Sequence, residues 1–414
     1  MLNPMKVWVK LLIGSMLGVM LGKFLPSVLP GILTLLPWLQ DMGIRIGRYT
    51  VVPILFFSLT LGVYELRRDG GFWPLVLRTF LVMAGSTALV ITGGMWAVLV
   101  FSPPRIPILV EEQVTAVSLE TLESIRVLFP PNMFSALVSD GVYLFPVYVC
   151  AFFLGIGLSY DRSYTKPVIT LVDSLSRIFY HVGSFFSEIL GLIMIVLSAY
   201  WAVSYQEALG GEGFRNLMIL LGVLSLVLIG IVLPLLLCLL KADMKPWRVI
   251  YGVLGPALAG FFSGDLNFSL PILLRHSKEN LGVRRRVNAV VLSLFSTFGR
   301  SGSAMVAAVA FIVIIKSYSS LEILPIHLIS IGFRIFIISF CLARHPGDGA
   351  YTALAVLCLN YGQGYEGGYL LLKPLAFYLI AVGTLLDTMI TAVAVYTLAE
   401  ISGLREKERV GHSI

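Results

Sequence analysis

The sequence predicts an all-α polytopic membrane protein with eight transmembrane helices and two opposed re-entrant helical hairpins arranged as inverted repeats. Three observations carry this. Hydrophobic residues make up 57% of the 414-residue chain and charged residues 13%, with mean hydropathy +0.91, which excludes a soluble domain. Apolar segments at about 5–25, 43–65, 74–102, 142–159, 168–204, 214–240, 287–315 and 369–403 approach the ~20 residues that a helix needs to span a bilayer. Two further apolar stretches are halved by polar tips, so each limb is too short to cross alone.

Along the chain, Lys6 and Lys10 precede an apolar run to Leu21 that mimics a signal peptide but lacks a small-residue cleavage site, so it reads as a retained first helix. Basic residues recur in every second loop: Arg67/Arg68, Arg162/Lys166, Lys241/Lys245/Arg248, Arg284/Arg285/Arg286 and Arg405/Lys407/Arg409. The intervening loops carry Glu111, Glu112, Glu120, Glu123, Glu207 and Glu212. The positive-inside rule then places both termini in the cytoplasm and the protein in the plasma (inner) membrane. The net charge of +7 is absorbed by this orientation signal, and no basic face with interleaved aromatics is left for nucleic acid. The loop 103–141, with five prolines, falls on the outer side. Cys150, Cys238, Cys341 and Cys358 lie in apolar segments without metal-ligand spacing and read as core thiols.

The first interrupted stretch runs from Val249 to Phe262, stops at Ser263-Gly264-Asp265-Leu266-Asn267, and returns through Phe268 to Leu274 toward the arginine cluster at 284–286. A full apolar helix, Val287 to Ile315, follows and is broken at Gly299-Arg300-Ser301-Gly302-Ser303. Arg300 lies roughly fourteen residues, ~21 Å of helix, from either end, too deep to snorkel to water. The second interrupted stretch runs from Leu328 to Leu342, halts at Arg344-His345-Pro346-Gly347-Asp348-Gly349, and resumes from Ala350 to Leu359. Its following helix carries Asp387 at midspan. Two hairpin-plus-helix units of opposite orientation are the inverted repeat of a secondary transporter, with the site at mid-depth between the tips. Arg300 against Asp265, Asp348 and Asp387 leaves a formal −2, a site that wants a cationic group: a substrate amine, a proton or a metal ion.

Each residue also has a plainer reading. On that reading Arg300 bridges helices as a structural ion pair with Asp387 or Asp265. Asp265 and Asp348 suit turn and helix caps. Gly299-Arg300-Ser301-Gly302 also fits the Gly-x-Ser-Gly of intramembrane rhomboid proteases, but the five histidines sit in loops, tips or helix ends, and a base at the depth of Ser301 is missing. A proton-coupled or uncoupled carrier, or a channel, is a further reading, although no ring of like charge marks a pore.

Tyr49-Thr50-Val51-Val52-Pro53-Ile54-Leu55-Phe56-Phe57-Ser58-Leu59, then Phe129-Pro130-Pro131-Asn132-Met133-Phe134, then His345-Pro346-Gly347-Asp348-Gly349-Ala350 follow one another along this topology. In that order they resemble the second helix, the start of the fourth helix and the second hairpin tip of the dicarboxylate/amino acid:cation symporter family, the glutamate-transporter fold. The resemblance covers nearly the whole chain. It implies a homotrimer and a single membrane domain. A scaffold (about 1–66 and 142–204) would hold a transport part (about 74–102 and 214–403) that moves like an elevator. It implies a small-molecule substrate such as an amino acid or dicarboxylate, Na+ or H+ as coupling ion, no prosthetic cofactor and no enzymatic activity. Asp387 aligns with the family residue that holds a substrate ammonium group. Ile390, Thr391 and Ala394 fall on the substrate side of the same helix, together with the tip residues Ser263, Gly264, Asp265, Pro346, Gly347 and Asp348. Ile390 replaces the Arg that grips acidic side chains, Ala394 the Asn that binds the α-carboxylate, and Leu398 a sodium-binding Asp. Ser86 and Thr87 match a Thr-Ser pair beside a family sodium site. Arg300, Ser301 and Ser303 occupy the ion-binding break, where the family has Asn-Met-Asp-Gly-Thr. The expectation is that the Arg300 guanidinium replaces a bound sodium ion.

Overall fold

The computed structural model describes residues 7–28, 31–101, 103–106, 132–138, 140–209, 214–240, 243–318, 324–362 and 364–405. Helices α1 (Val7–Val28), α2 (Ile32–Arg48), α3 (Val51–Arg68) and α4 (Phe72–Val100) are followed by α5 (Phe145–Gly157) and α6 (Arg162–Leu209). Helix α7 (Phe214–Val227) continues through one π turn at Leu228–Val232 into α8 (Leu233–Leu239). Next come α9 (Pro246–Gly252), α10 (Leu254–Ser263), α11 (Leu266–Glu279), α12 (Arg285–Phe298) and α13 (Ser301–Tyr318). The chain closes with α14 (Pro325–Phe340), α15 (Gly349–Tyr361) and α16 (Ala376–Ile401). Among the described residues, the β pairing is one isolated bridge, Val283 to Arg405.

Among the described residues, seven spans are long and apolar enough to cross a membrane, one of them the joined α2–α3 unit from Thr34 to Arg68. The expected eighth, around 142–159, forms only the 13-residue α5, about 20 Å of helix, which is too short to cross by itself. Most of the outer loop 103–141, its glutamates, and the chain termini lie outside the described residues.

Burial separates the spans. In the most apolar windows of 285–318 and 368–401, 94% and 89% of residues are buried, against 28–33% in α1, α4 and the α7–α8 span. The two spans that carry Arg300 and Asp387 therefore form the centre, and the others present their apolar sides outward. At one edge, Gly14, Gly18 and Gly22 recur every fourth residue on α1 and meet Gly191, Ile195 and Ala199 of α6. A Cβ at any of the three would collide with α6 backbone, so small residues set this close crossing.

Both interrupted stretches fold as helix–tip–helix. In the first, Gly264 turns the chain with φ +64°, and Asp265 caps α11 by accepting from Phe268 N–H at 2.8 Å. In the second, a 3₁₀ turn at Leu342–Arg344 leads to the tip. The tips touch: Leu266 N–H donates to the Pro346 carbonyl at 3.0 Å. Their bases lie at opposite ends of the broken 285–318 span. The first base meets the start of α12, where Arg284 N–H donates to Leu404 O and Arg405 Nε to Leu281 O. The second meets the end of α13, where Tyr361 stacks edge-on against Phe311 and Tyr365 against Tyr318.

Candidate substrate site

The centre of the molecule is the break between α12 and α13. Gly299 and Arg300 leave the helical path, and Arg300 is only 1% exposed. Its Nη2 donates to the His345 carbonyl at 3.0 Å and the Pro346 carbonyl at 3.3 Å. Its Nε lies 3.4 Å from Asp387 Oδ2, an ion pair. Asp387, fully buried on α16, accepts from Gly302 N–H at 2.7 Å, Ser303 N–H at 3.2 Å and the Ser303 hydroxyl at 2.6 Å. One carboxylate thus caps the start of α13 and neutralises the guanidinium beside it. Gly349 makes room for that guanidinium, since a Cβ there would strike Arg300 Nη2.

Arg300, Asp387 and the second tip are therefore together, as the sequence suggests. The first tip is held differently. Asp265 is 1% exposed and pairs with Arg48, which comes from the end of α2. Asn267 donates to the carbonyls of Gly141 and Val142 at 2.9 and 2.8 Å. Ser263 hydrogen-bonds within its own turn, and the Gly264 carbonyl accepts from Thr384 at 3.0 Å. Gly347 lies between the two tips, where a Cβ would be 2.9 Å from Asp265 Oδ2 and 3.5 Å from Arg48 Nη2. Asp348 faces solvent on one side and takes hydrogen bonds from Thr352 at 3.0 Å and the His345 ring at 3.2 Å.

Arg48 is the residue that reading the sequence missed. It lies near the start of the second apolar segment, and an arginine inside an apolar stretch was the available signal. It corrects the expected charge: two arginines against three carboxylates leave −1, not −2.

The remaining expected positions fall around the break. Helices α4 and α13 run parallel, with Gly94 against Met305 and Val309. Along α4, Thr87 lies midway between Phe80, whose ring meets Phe298, and Gly94, which meets Met305. The hydroxyls of Thr87, Ser301 and Thr391 are buried with no hydrogen-bond partner among the described residues, as is Arg300 Nη1. Ser86 instead turns back to the Met83 carbonyl at 3.0 Å. Ile390 and Ala394 are buried apolar neighbours on α16. Arg300 Nη1 and the three unpartnered hydroxyls are each a buried donor that an acceptor-bearing group would satisfy. No group of three or more His, Cys, Asp or Glu among the described residues is arranged to hold a metal ion.

The family model for the sodium:dicarboxylate symporters matches residues 7–404. The chain belongs to the sodium:dicarboxylate symporter family. It is an integral multi-pass membrane protein of a transport family, not an enzyme, and the protease reading of Ser301 ends there. Among curated relatives of this symporter family, the proton/sodium-glutamate symport protein of Bacillus subtilis is 22% identical over 78% of this chain and 76% of its own length. The bovine excitatory amino acid transporter 1 is 27% identical over 41% of this chain and 30% of its own. The human neutral amino acid transporter B(0) is 27% identical over 31% of this chain and 23% of its own. The aligned segments thus span three quarters of the bacterial symporter and under a third of these two animal transporters.

Proposed function

We propose that this symporter-family member is a secondary active carrier for a small acceptor-bearing polar solute, an amino acid or a dicarboxylate, in which Arg300 replaces a bound coupling cation. One observation carries the reading: two backbone carbonyls of an interrupted segment and one buried carboxylate converge on the guanidinium. Oxygen donors of that kind are what unwound transporter helices offer to Na+. With a fixed cation there, a second cation at the same spot would be repelled at close range in a poorly screened interior. The donor set around Arg300 therefore does not fit sodium, and coupling rests on another ion such as H+.

The unpartnered donors, Arg300 Nη1 and the hydroxyls of Ser301, Thr391 and Thr87, favour a carboxylate-bearing solute. Asp387 orients Arg300 and organises the start of α13. Transport then follows an elevator motion of the central part, with Arg300, Asp387 and both tips moving as a unit within a trimer whose termini are cytoplasmic. The charge alternation of the loops and the placement of the two hairpin bases at opposite ends of one span support this arrangement.

Uptake of radiolabelled amino acids and dicarboxylates into proteoliposomes tests the proposal. Wild-type uptake is expected to persist when Na+ is replaced by choline, and Asp387→Asn is expected to abolish it. A steep Na+ requirement in the wild type ends the role given to Arg300. Near-normal uptake by Asp387→Asn removes that carboxylate from the mechanism.

A further inference from the structure

Away from the break, a cleft of about 820 Å³ opens where α3 ends, α6 begins its first turns, α11 ends and α12 begins. It has the size of a ligand site. Six basic side chains line it, from four separate elements: Arg68, Arg177, Lys278, Arg284, Arg285 and Arg286. Three acidic residues of the lining, Glu65, Asp173 and Glu279, oppose them, and Asp69 beside the cleft pairs with Arg68 and Arg286, which leaves +2 with histidine neutral.

Two of these acids are already engaged. Asp173 accepts from Arg285 at 2.6 Å and from Arg177 at 3.1 Å, and Glu279 takes the Tyr180 hydroxyl at 3.1 Å and Arg275 at 3.1 Å. Arg284 has no side-chain hydrogen bond or ion pair among the described residues. It also stands at the N-cap of α12, a 14-residue helix whose start has no side-chain cap. The start of that helix, with its positive dipole end, therefore lies beside the crevice that the three consecutive arginines line. The positive-inside rule explains basic loops but does not require them to converge on one recess beside an uncapped helix.

We propose that this cleft is a binding site for a phosphate-bearing anion. Guanidinium forks and helix-start amides are the donors that phosphate oxygens take, bidentate where the geometry allows. Basic recesses between membrane helices on the cytoplasmic side hold phosphorylated lipid headgroups, and the same chemistry accepts a soluble phosphate. A bound anion would join α3 and α6 to α11 and α12, adding to the Arg285–Asp173 contact that already spans them.

The test uses the full-length purified protein. Retention of cardiolipin against phosphatidylcholine is measured by native mass spectrometry, and inorganic pyrophosphate is titrated by calorimetry. Both are repeated on Arg284→Gln and on Arg177→Gln/Arg284→Gln. The expected result is saturable binding of at least one probe, weakened roughly tenfold by the single change and further by the double. Arg284 is exposed and its side chain has no hydrogen bond or ion pair among the described residues, so the single variant is expected to melt like wild type without ligand. Cardiolipin retention without a pyrophosphate signal assigns the site to a lipid headgroup. Pyrophosphate binding that displaces cardiolipin assigns it to soluble phosphate as well. No saturable binding of either probe, or undiminished binding by the double variant, overturns the proposal.

Discussion

Arg300→Ala separates a built-in cation from an ordinary structural ion pair. The substitution leaves the Asp387 carboxylate, 0% exposed, facing the space that the guanidinium filled, and takes the Arg300 donor from the His345 and Pro346 carbonyls, of which Pro346 keeps its bond from Leu266 N–H. Removing one partner of a buried pair costs about 3–5 kcal/mol, because the other charge stays buried without compensation. Asp387 keeps its bonds from Gly302 and Ser303, which places the expected loss toward the lower end of that range. The variant then presents two carbonyls and a carboxylate with no cation among them. If Arg300 replaces an ion, Na+ should bind there, and at a hundredfold over its dissociation constant it would return about 2.7 kcal/mol. The assay is unfolding of the purified protein in Na+ against choline at constant ionic strength. The expected result is a destabilised variant that Na+ partly rescues, beside a wild type indifferent to the exchange. A variant as stable as wild type, or one that gains no more from Na+ than wild type does, refutes the reasoning.

Three other changes have definite expected outcomes. Gly302→Ala forces a Cβ to within 2.8 Å of both Asp387 N and the Gly383 carbonyl, so it should cost about 1–3 kcal/mol by overpacking and reduce uptake, read from unfolding and tracer flux together. Arg48→Ala should destabilise by about 3–5 kcal/mol by stranding buried Asp265. Arg48→Ala/Asp265→Asn should be more stable than Arg48→Ala, since Asn keeps the α11 cap without the charge; a double variant no better than the single one would contradict this. Asp69, in the turn between α3 and α4, is hydrogen-bonded by Arg286 and Arg68, which holds its carboxyl below the usual value. Its contribution is present above the ordinary aspartate pKa near ~3.9 and is lost as pH falls through the lowered folded value. Asp69→Asn should therefore cost less than about 1 kcal/mol at neutral pH, as partly exposed pairs do, with the difference from wild type closing in acid.

Much of this architecture was legible because a bilayer imposes a length and polarity code on the chain. The positions of the spans, the polar tips at 263–267 and 344–349, the midspan Arg300 and Asp387, and the family pattern all follow from one-dimensional spacing, and Arg300 does meet Asp387. The short α5 escaped that code because an apolar stretch of 18 residues sets only an upper limit on helix length. Arg48 escaped it too, since it is 217 residues from its partner Asp265 and hydropathy carries no information about partners that distant.

The sequence alone determined that the chain lives in a membrane, how its apolar segments divide, and that two charges lie where hydrocarbon would forbid them without a partner. Which partner each charge takes was decided only in three dimensions. Asp265 turned outward to Arg48, Asp387 to the start of α13 and Arg300, and Arg300 to the carbonyls of the second tip. Burial cost is a property of each residue and can be read from its place in the chain. Its compensation depends on which atoms come within about 3 Å after every helix has packed.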